Sequence, residues 1–172
     1  MNQAPLINDL IPRHKTIQFS DKPVAQDDVL YLLQVARLAP SARNKQIWFF
    51  TIISDRELIR QVAKLNALPD LAAAPVLIAA QARPGLIKKM HPEQPFAYID
   101  IPISMSHLSL AAAEKSLALE WLLDHKEQEI RGILDLDFSL VLVALGFLGF
   151  PEKLISLDPL PTSGVFRNEF GY

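Results

Sequence analysis

Arg13-His14-Lys15 places three potential cations on consecutive residues, a cluster suited to an anionic partner. The same run also reads as solvated surface after a helix end, where positive charge is favoured. A second polar concentration is Ala39-Pro40-Ser41-Ala42-Arg43-Asn44-Lys45-Gln46, whose Ser, Asn and Gln suit capping and turn formation. Asp100 opens a long helical pattern, at the end where the helix dipole favours a carboxylate. His107 falls inside that pattern among apolar neighbours and reads as a hydrogen-bonded interface histidine. His91 and His125 have no partner at metal-ligand spacing, and the chain has no cysteine, which removes thiolate chemistry and sulfur ligation. No Ser-His-Asp order, Gly-x-Gly-x-x-Gly or Walker loop is found.

The elements that must carry these residues follow from periodicity. Leu6, Ile7, Leu10 and Ile11 form a helical pattern that Pro12 cuts off. Asp21-Lys22-Pro23 is a turn. Val29, Leu32, Leu33 and Ala36 mark an amphipathic helix over 26–38, with Asp27 and Asp28 in its first turn. Ile47–Ile53 is aromatic or β-branched throughout and predicts a strand. Ser54 is the expected cap of a helix over 55–64. Pro75–Ala80 predicts a buried strand, and 83–95 a loop that can hold a short helix and is the expected mobile segment.

The longest helix starts within a turn of Asp100 and carries two stripes: Ile99, Ile103, Leu110, Ala113 and Leu117, and the smaller Ser104, Leu108, Ala111, Ala112 and Lys115. Such a helix can be packed from both sides. Pro102 is expected only near its start, where a missing N–H has no intrahelical partner. Residues 117–123 then predict a strand, 126–134 a helix and 138–145 a buried strand. From Pro151 onward periodicity is weak, and the expectation is a tail that does not fold back but wraps a partner. Strands separated by helices around one long central helix give an α+β layered domain.

At 172 residues the chain fits one domain, 1–172, with a real core. Half its residues are hydrophobic and 21% are charged, a slightly apolar balance that suits a partner surface. A net charge of -2 points to neither nucleic acid nor an anionic membrane. Met1–Lys15 lacks the pattern of a secretory signal, and the uncharged run 138–151 is too short to span a bilayer. A soluble, cytoplasmic protein is expected.

Four segments together resemble the nitroreductase family of FMN-dependent NAD(P)H oxidoreductases. They are Arg13-His14-Lys15-Thr16-Ile17-Gln18-Phe19, the 39–48 segment ending in Trp48, the helix from Asp100 to a Trp121-Leu122-Leu123 exit, and Gly149-Phe150-Pro151. The resemblance implies a three-layer fold with a mostly antiparallel central sheet flanked by helices and the long helix at a homodimer interface. It implies that 152–172 is an arm on the partner subunit. It also implies FMN as cofactor, with Arg13, His14 and Lys15 at the phosphate and Asp100, Trp121, Leu122 and Leu123 along the ring. Pro40, Ser41 and Asn44 would lie over the flavin held mainly by the other subunit. NAD(P)H would be the donor, and a nitroaromatic, quinone or related molecule the acceptor. No side chain is required as acid or base, so no catalytic residue is assigned. The chain departs from the family at Ile17 (a basic position), at Leu123 (a glycine) and at Ser156-Leu157-Asp158, where a cation is usual. These departures motivate an alternative: a dimeric scaffold with weakened or lost FMN binding that serves another ligand.

Overall fold

The strand Val76–Ala82 is buried at every position, so it requires cover on both faces. A computed structural model of the chain describes the backbone of residues 13–83 and 96–157 and the side chains of 18–83 and 96–154. The described chain runs β1 (Arg13–Phe19), α1 (Gln26–Ala36), β2 (Trp48–Ile53), α2 (Arg56–Leu65), β3 (Val76–Ala82), α3 (Ala97–Glu114), β4 (Ala118–Leu122), α4 (Glu127–Ile133), β5 (Val141–Gly149) and β6 (Pro151–Leu157). Single 3₁₀ turns cover 42–44 and 69–71. The main sheet is antiparallel in the order β2-β3-β5-β4, and β1 and β6 form a separate antiparallel ribbon.

Alternation sorts β3 between two cores. Val76, Ile78 and Ala80 pack with Leu32 of α1 and with Ile101, Met105 and Leu108 of α3. Leu77 and Ala79 pack with Ile59 and Val62 of α2 and Ile130 of α4. The result is an α+β fold with an antiparallel sheet and, among the described residues, four helices. A bulge opposite Ala80/Gln81 lets both Val143 and Ala144 join the α1/α3 core.

Helix α3 lies antiparallel to α1. At one end Ser104 Oγ donates to the Ala36 carbonyl at 2.8 Å inside the core. At the other, Tyr31 donates to Glu114 at 2.7 Å and Lys115 pairs with Asp28 at 3.2 Å. The small stripe is therefore the one that own-chain packing covers, with Ser104, Leu108, Ala111 and Ala112 buried. The larger stripe is more open along the helix: Ile99 is 48% exposed, Ile103 and Leu110 are half-buried and Ala113 is exposed, whereas Leu117, beyond the helix end, is buried.

Four sequence expectations need correction. Pro102 is the sixth residue of α3 rather than a first-turn residue. Proline has no N–H to give the Tyr98 carbonyl, but Tyr98 is half-exposed, where water can serve that oxygen. The cap of α2 is Asp55, not Ser54: its carboxylate accepts from the amides of Glu57 and Leu58. The last core strand spans 141–149, because Phe138-Ser139 forms a turn in which Ser139 N–H donates to Asp137. The chain after Gly149 does fold back: β6 pairs with β1 from Phe19↔Pro151 to Arg13↔Leu157. That pairing also makes Arg13-His14-Lys15 part of a strand. The helical pattern expected over 5–11, most of the 83–95 loop and the arm beyond 157 lie outside the described residues.

Candidate functional site

The sequence-selected residues fall into two groups. The first is the loop between α1 and β2. Pro40 is exposed and Ser41 half-buried, and the 3₁₀ turn at 42–44 follows. Arg43, Asn44 and Gln46 have φ of 52°, 54° and 47°, left-handed values that non-glycine residues adopt at a cost of about 1–2 kcal/mol each. Such a loop persists only where its surroundings fix it. Ser41 Oγ accepts from the Gln46 amide at 3.0 Å, and Gln46 Nε2 donates to the Arg37 carbonyl at 3.0 Å. From below, the Ala42 amide donates to both carboxylate oxygens of Asp100, each at 3.1 Å. Arg43, Asn44 and Lys45 are left exposed.

Asp100 thus serves its own chain's loop. It is only 2% exposed and sits in the first turn of α3. Burial raises its carboxyl above the ordinary range, and the Ala42 N–H pulls partly the other way.

The second group lies on the opposite edge of the sheet. Trp121 and Leu122 belong to edge strand β4, paired with Gly146 and Leu145. Trp121 packs on the α1/α3 core and Leu122 on the other core. Leu123 follows and is 50% exposed. Strand β1, which carries Arg13, His14 and Lys15, touches β4. The loop group leads into β2, the other edge. Three strand spacings separate the edges, about 14 Å.

Some features escape sequence reasoning. A cleft of about 550 Å³ lies beside the loop, lined by Leu33, Arg37, Gln46, Trp48 and Phe50 among others. Gln46 appears in the sequence as one more loop polar residue, and only the fold shows it bridging the loop to the α1 terminus. Gln81 is buried and accepts from Thr51, yet its Nε2 has no partner, and neither does buried Arg131 Nε. His125 likewise has an unpartnered Nδ1, and burial lowers its affinity for a proton. His107 is half-buried and lines a small pocket with Val35 and Glu114. Among the described residues no cluster of His, Asp or Glu could hold a metal, and no helix is long and apolar enough to cross a membrane.

Comparison with known proteins matches this arrangement. The model of the nitroreductase family matches residues 13–68, which include both β1 and the loop. The chain is 28% identical over 142 residues to a candidate NADH dehydrogenase/NAD(P)H nitroreductase of Archaeoglobus fulgidus, covering 78% of each chain. Its fold superposes on a nitroreductase family protein from Streptococcus pneumoniae TIGR4 with a TM-score of 0.80, at 21% identity, covering 94% of this chain and 98% of that one. A BluB-like flavoprotein from Clostridium difficile 630 superposes at 0.78, with 20% identity, 94% of this chain and 97% of the other. The chain is thus similar to the nitroreductase family in sequence over residues 13–68 and shares the fold of its solved structures.

Proposed function

We propose that this chain is an FMN-dependent oxidoreductase that works as a homodimer, using NAD(P)H to reduce a nitroaromatic, quinone or related acceptor. The carrying observation is the split of the candidate residues between the two edges of one sheet. One copy offers two half-sites, and pairing β1 and β4 of one copy with the loop of another makes a whole one. The outward stripe of α3 supplies an apolar face for that pairing.

In this reading Arg13, His14 and Lys15 provide charge for the phosphate, and the end of β4 at Trp121-Leu122-Leu123 lies along the ring. Leu123 is half-exposed at the end of β4, which leaves space beside it for a ligand. Pro40, Ser41 and Asn44 of the second copy cover the ring from a loop whose shape is set before any ligand arrives. Bound FMN supplies the redox chemistry, hydride acceptance from the nicotinamide and reduction of the acceptor. The protein's share is binding, orientation and an open face on which donor and acceptor alternate.

A second reading is favoured by Leu123 itself. A side chain stands where the family resemblance implies glycine, and its Cβ would crowd a ring that approaches the amide. Under that reading the dimer keeps the fold and binds another ligand.

An absorption spectrum of the purified protein with and without NAD(P)H, followed by FMN titration, separates the two. Flavin absorbance that bleaches with NAD(P)H supports the oxidoreductase. A colourless protein that leaves FMN fluorescence unquenched supports the scaffold. Arg13→Ala should weaken FMN by about 1.5–3 kcal/mol through loss of a charge-assisted contact.

A further inference from the structure

Asp100 spends both carboxylate oxygens on a single backbone amide of its own chain, which is an unusual use of a buried charge. The amide belongs to Ala42, the first residue of the 3₁₀ turn whose next two residues are left-handed. A carboxylate in a core needs a compelling partner, because its desolvation is otherwise uncompensated. Here the partner is the one loop, among the described residues, in which three non-glycine residues with positive φ fall within four positions. Beneath Asp100, Ser104 ties α3 to the last carbonyl of α1, so the start of the loop and its middle are referenced to one helix. The side chains that close the outer side of the loop, Ser41 and Gln46, are both open to solvent to some degree.

We propose that Asp100 is a positioning residue: it holds the 41–46 loop in its left-handed shape, so that Pro40, Ser41 and Asn44 form a ready-made surface for the flavin of the second copy. This rests on the flavin reading above, but its first part stands without it. Ala42 links the carboxylate to the ligand-facing residues, and Asp100 itself stays beneath the loop, out of reach of solvent.

The loop carries its own probe. Arg43 and Lys45 are exposed trypsin sites inside the segment that Asp100 holds. Cleavage there reports opening of the loop in flavin-free protein, and FMN titration reports the surface it builds. Asp100→Ala should raise cleavage at Arg43 and Lys45 by about tenfold or more and weaken FMN by about tenfold, as loss of a charge-assisted bond implies. Asp100→Asn keeps an acceptor oxygen and should stay near the parent in both measurements. Ser41→Ala loosens the same loop from its solvent side without emptying a buried position, so it serves if Asp100→Ala fails to fold; it should also raise cleavage. Parental cleavage rates in Asp100→Ala, or in Ser41→Ala where that variant has to stand in, would overturn the positioning role. Faster cleavage with unchanged FMN affinity would overturn the flavin-facing part and the proposed function of the loop with it, while leaving the loop clamp standing.

Discussion

Gly149 closes β5 at the point where the β1–β6 ribbon joins the sheet, and replacing it with alanine is the sharpest test of that junction. A Cβ built there would lie 2.5 Å from Pro75 Cδ and 3.1 Å from Phe19 Cδ1. Carbon atoms prefer about 3.5–4.0 Å, so the proline ring or the strand must shift by roughly an ångström. Neither neighbour yields easily: the proline ring is rigid, and Phe19 is 1% exposed in the α2/α4 core. Overpacking of this kind costs about 1–3 kcal/mol. For a chain of this size each kcal/mol lowers Tm by about 2–4 °C, so Gly149→Ala should melt on the order of 5 °C below the parent. Gly132, in α4, is the internal control. A Cβ there meets nothing within 4 Å, and alanine is the better helix former by about 0.5–1 kcal/mol. Gly132→Ala should therefore melt above the parent. Thermal unfolding by circular dichroism, with urea titration for free energies, reads both. The two substitutions must differ in sign. A Gly149→Ala protein at least as stable as the parent would refute the packing at the junction. Because Phe19 anchors β1, the same variant should also bind FMN more weakly, and Gly132→Ala should not.

Further outcomes follow from individual contacts. Asp55→Ala should destabilise by about 0.5–2 kcal/mol in chemical denaturation through loss of the α2 cap, whereas Ser54→Ala should change little. Asp100 has a folded-state pKa above its ordinary 3.8, so the folded chain holds its proton more tightly than the unfolded one. Its contribution is therefore lost as pH rises from about that ordinary value through the raised one. Asp100→Asn should remove this loss, so the variant should gain stability relative to the parent as pH is raised from acid to neutral; denaturation across that range would show it. Leu123→Gly should tighten FMN in a fluorescence titration, since it removes the Cβ beside the amide.

Local pattern made much of this fold legible before any coordinates. The Ile47–Ile53 and Pro75–Ala80 runs became β2 and β3 because nearly every side chain there is apolar, β-branched or aromatic. The amphipathic repeat at Val29, Leu32 and Ala36 became α1 with those residues buried. What stayed hidden depends on distant partners. Two stripes on α3 announced a helix, but only the seating of α1 decided that Ser104, Leu108 and Ala112 go inside. Residues 151–157 have no strand signal of their own and become β6 because β1, more than 130 positions earlier, offers an edge. Pro102 departs from the first-turn preference because Tyr98 is exposed, a tertiary fact that no local pattern carries.

The site was legible in residue types and opaque in geometry. The Pro40-Ser41-x-x-Asn44-x-Gln46 spacing singled out the loop, but nothing local shows that three of its residues are left-handed. Asp100 stood out as a carboxylate at a helix start, and only the fold reveals that its partner is Ala42, 58 positions away. The division of the candidates between β2 and β4 follows from strand order, which no single segment encodes.

Mixing two broken copies tests the two-copy site directly. Arg13→Ala impairs one half-site and Asn44→Ala the other, so each variant alone should bind FMN weakly. When the two chains are co-expressed, every mixed pair should contain one site with both halves intact, and binding at parental affinity should reappear in that fraction. A mixture that binds no better than either variant alone, or a single copy that holds FMN as tightly as the parent, would contradict a site shared across two subunits.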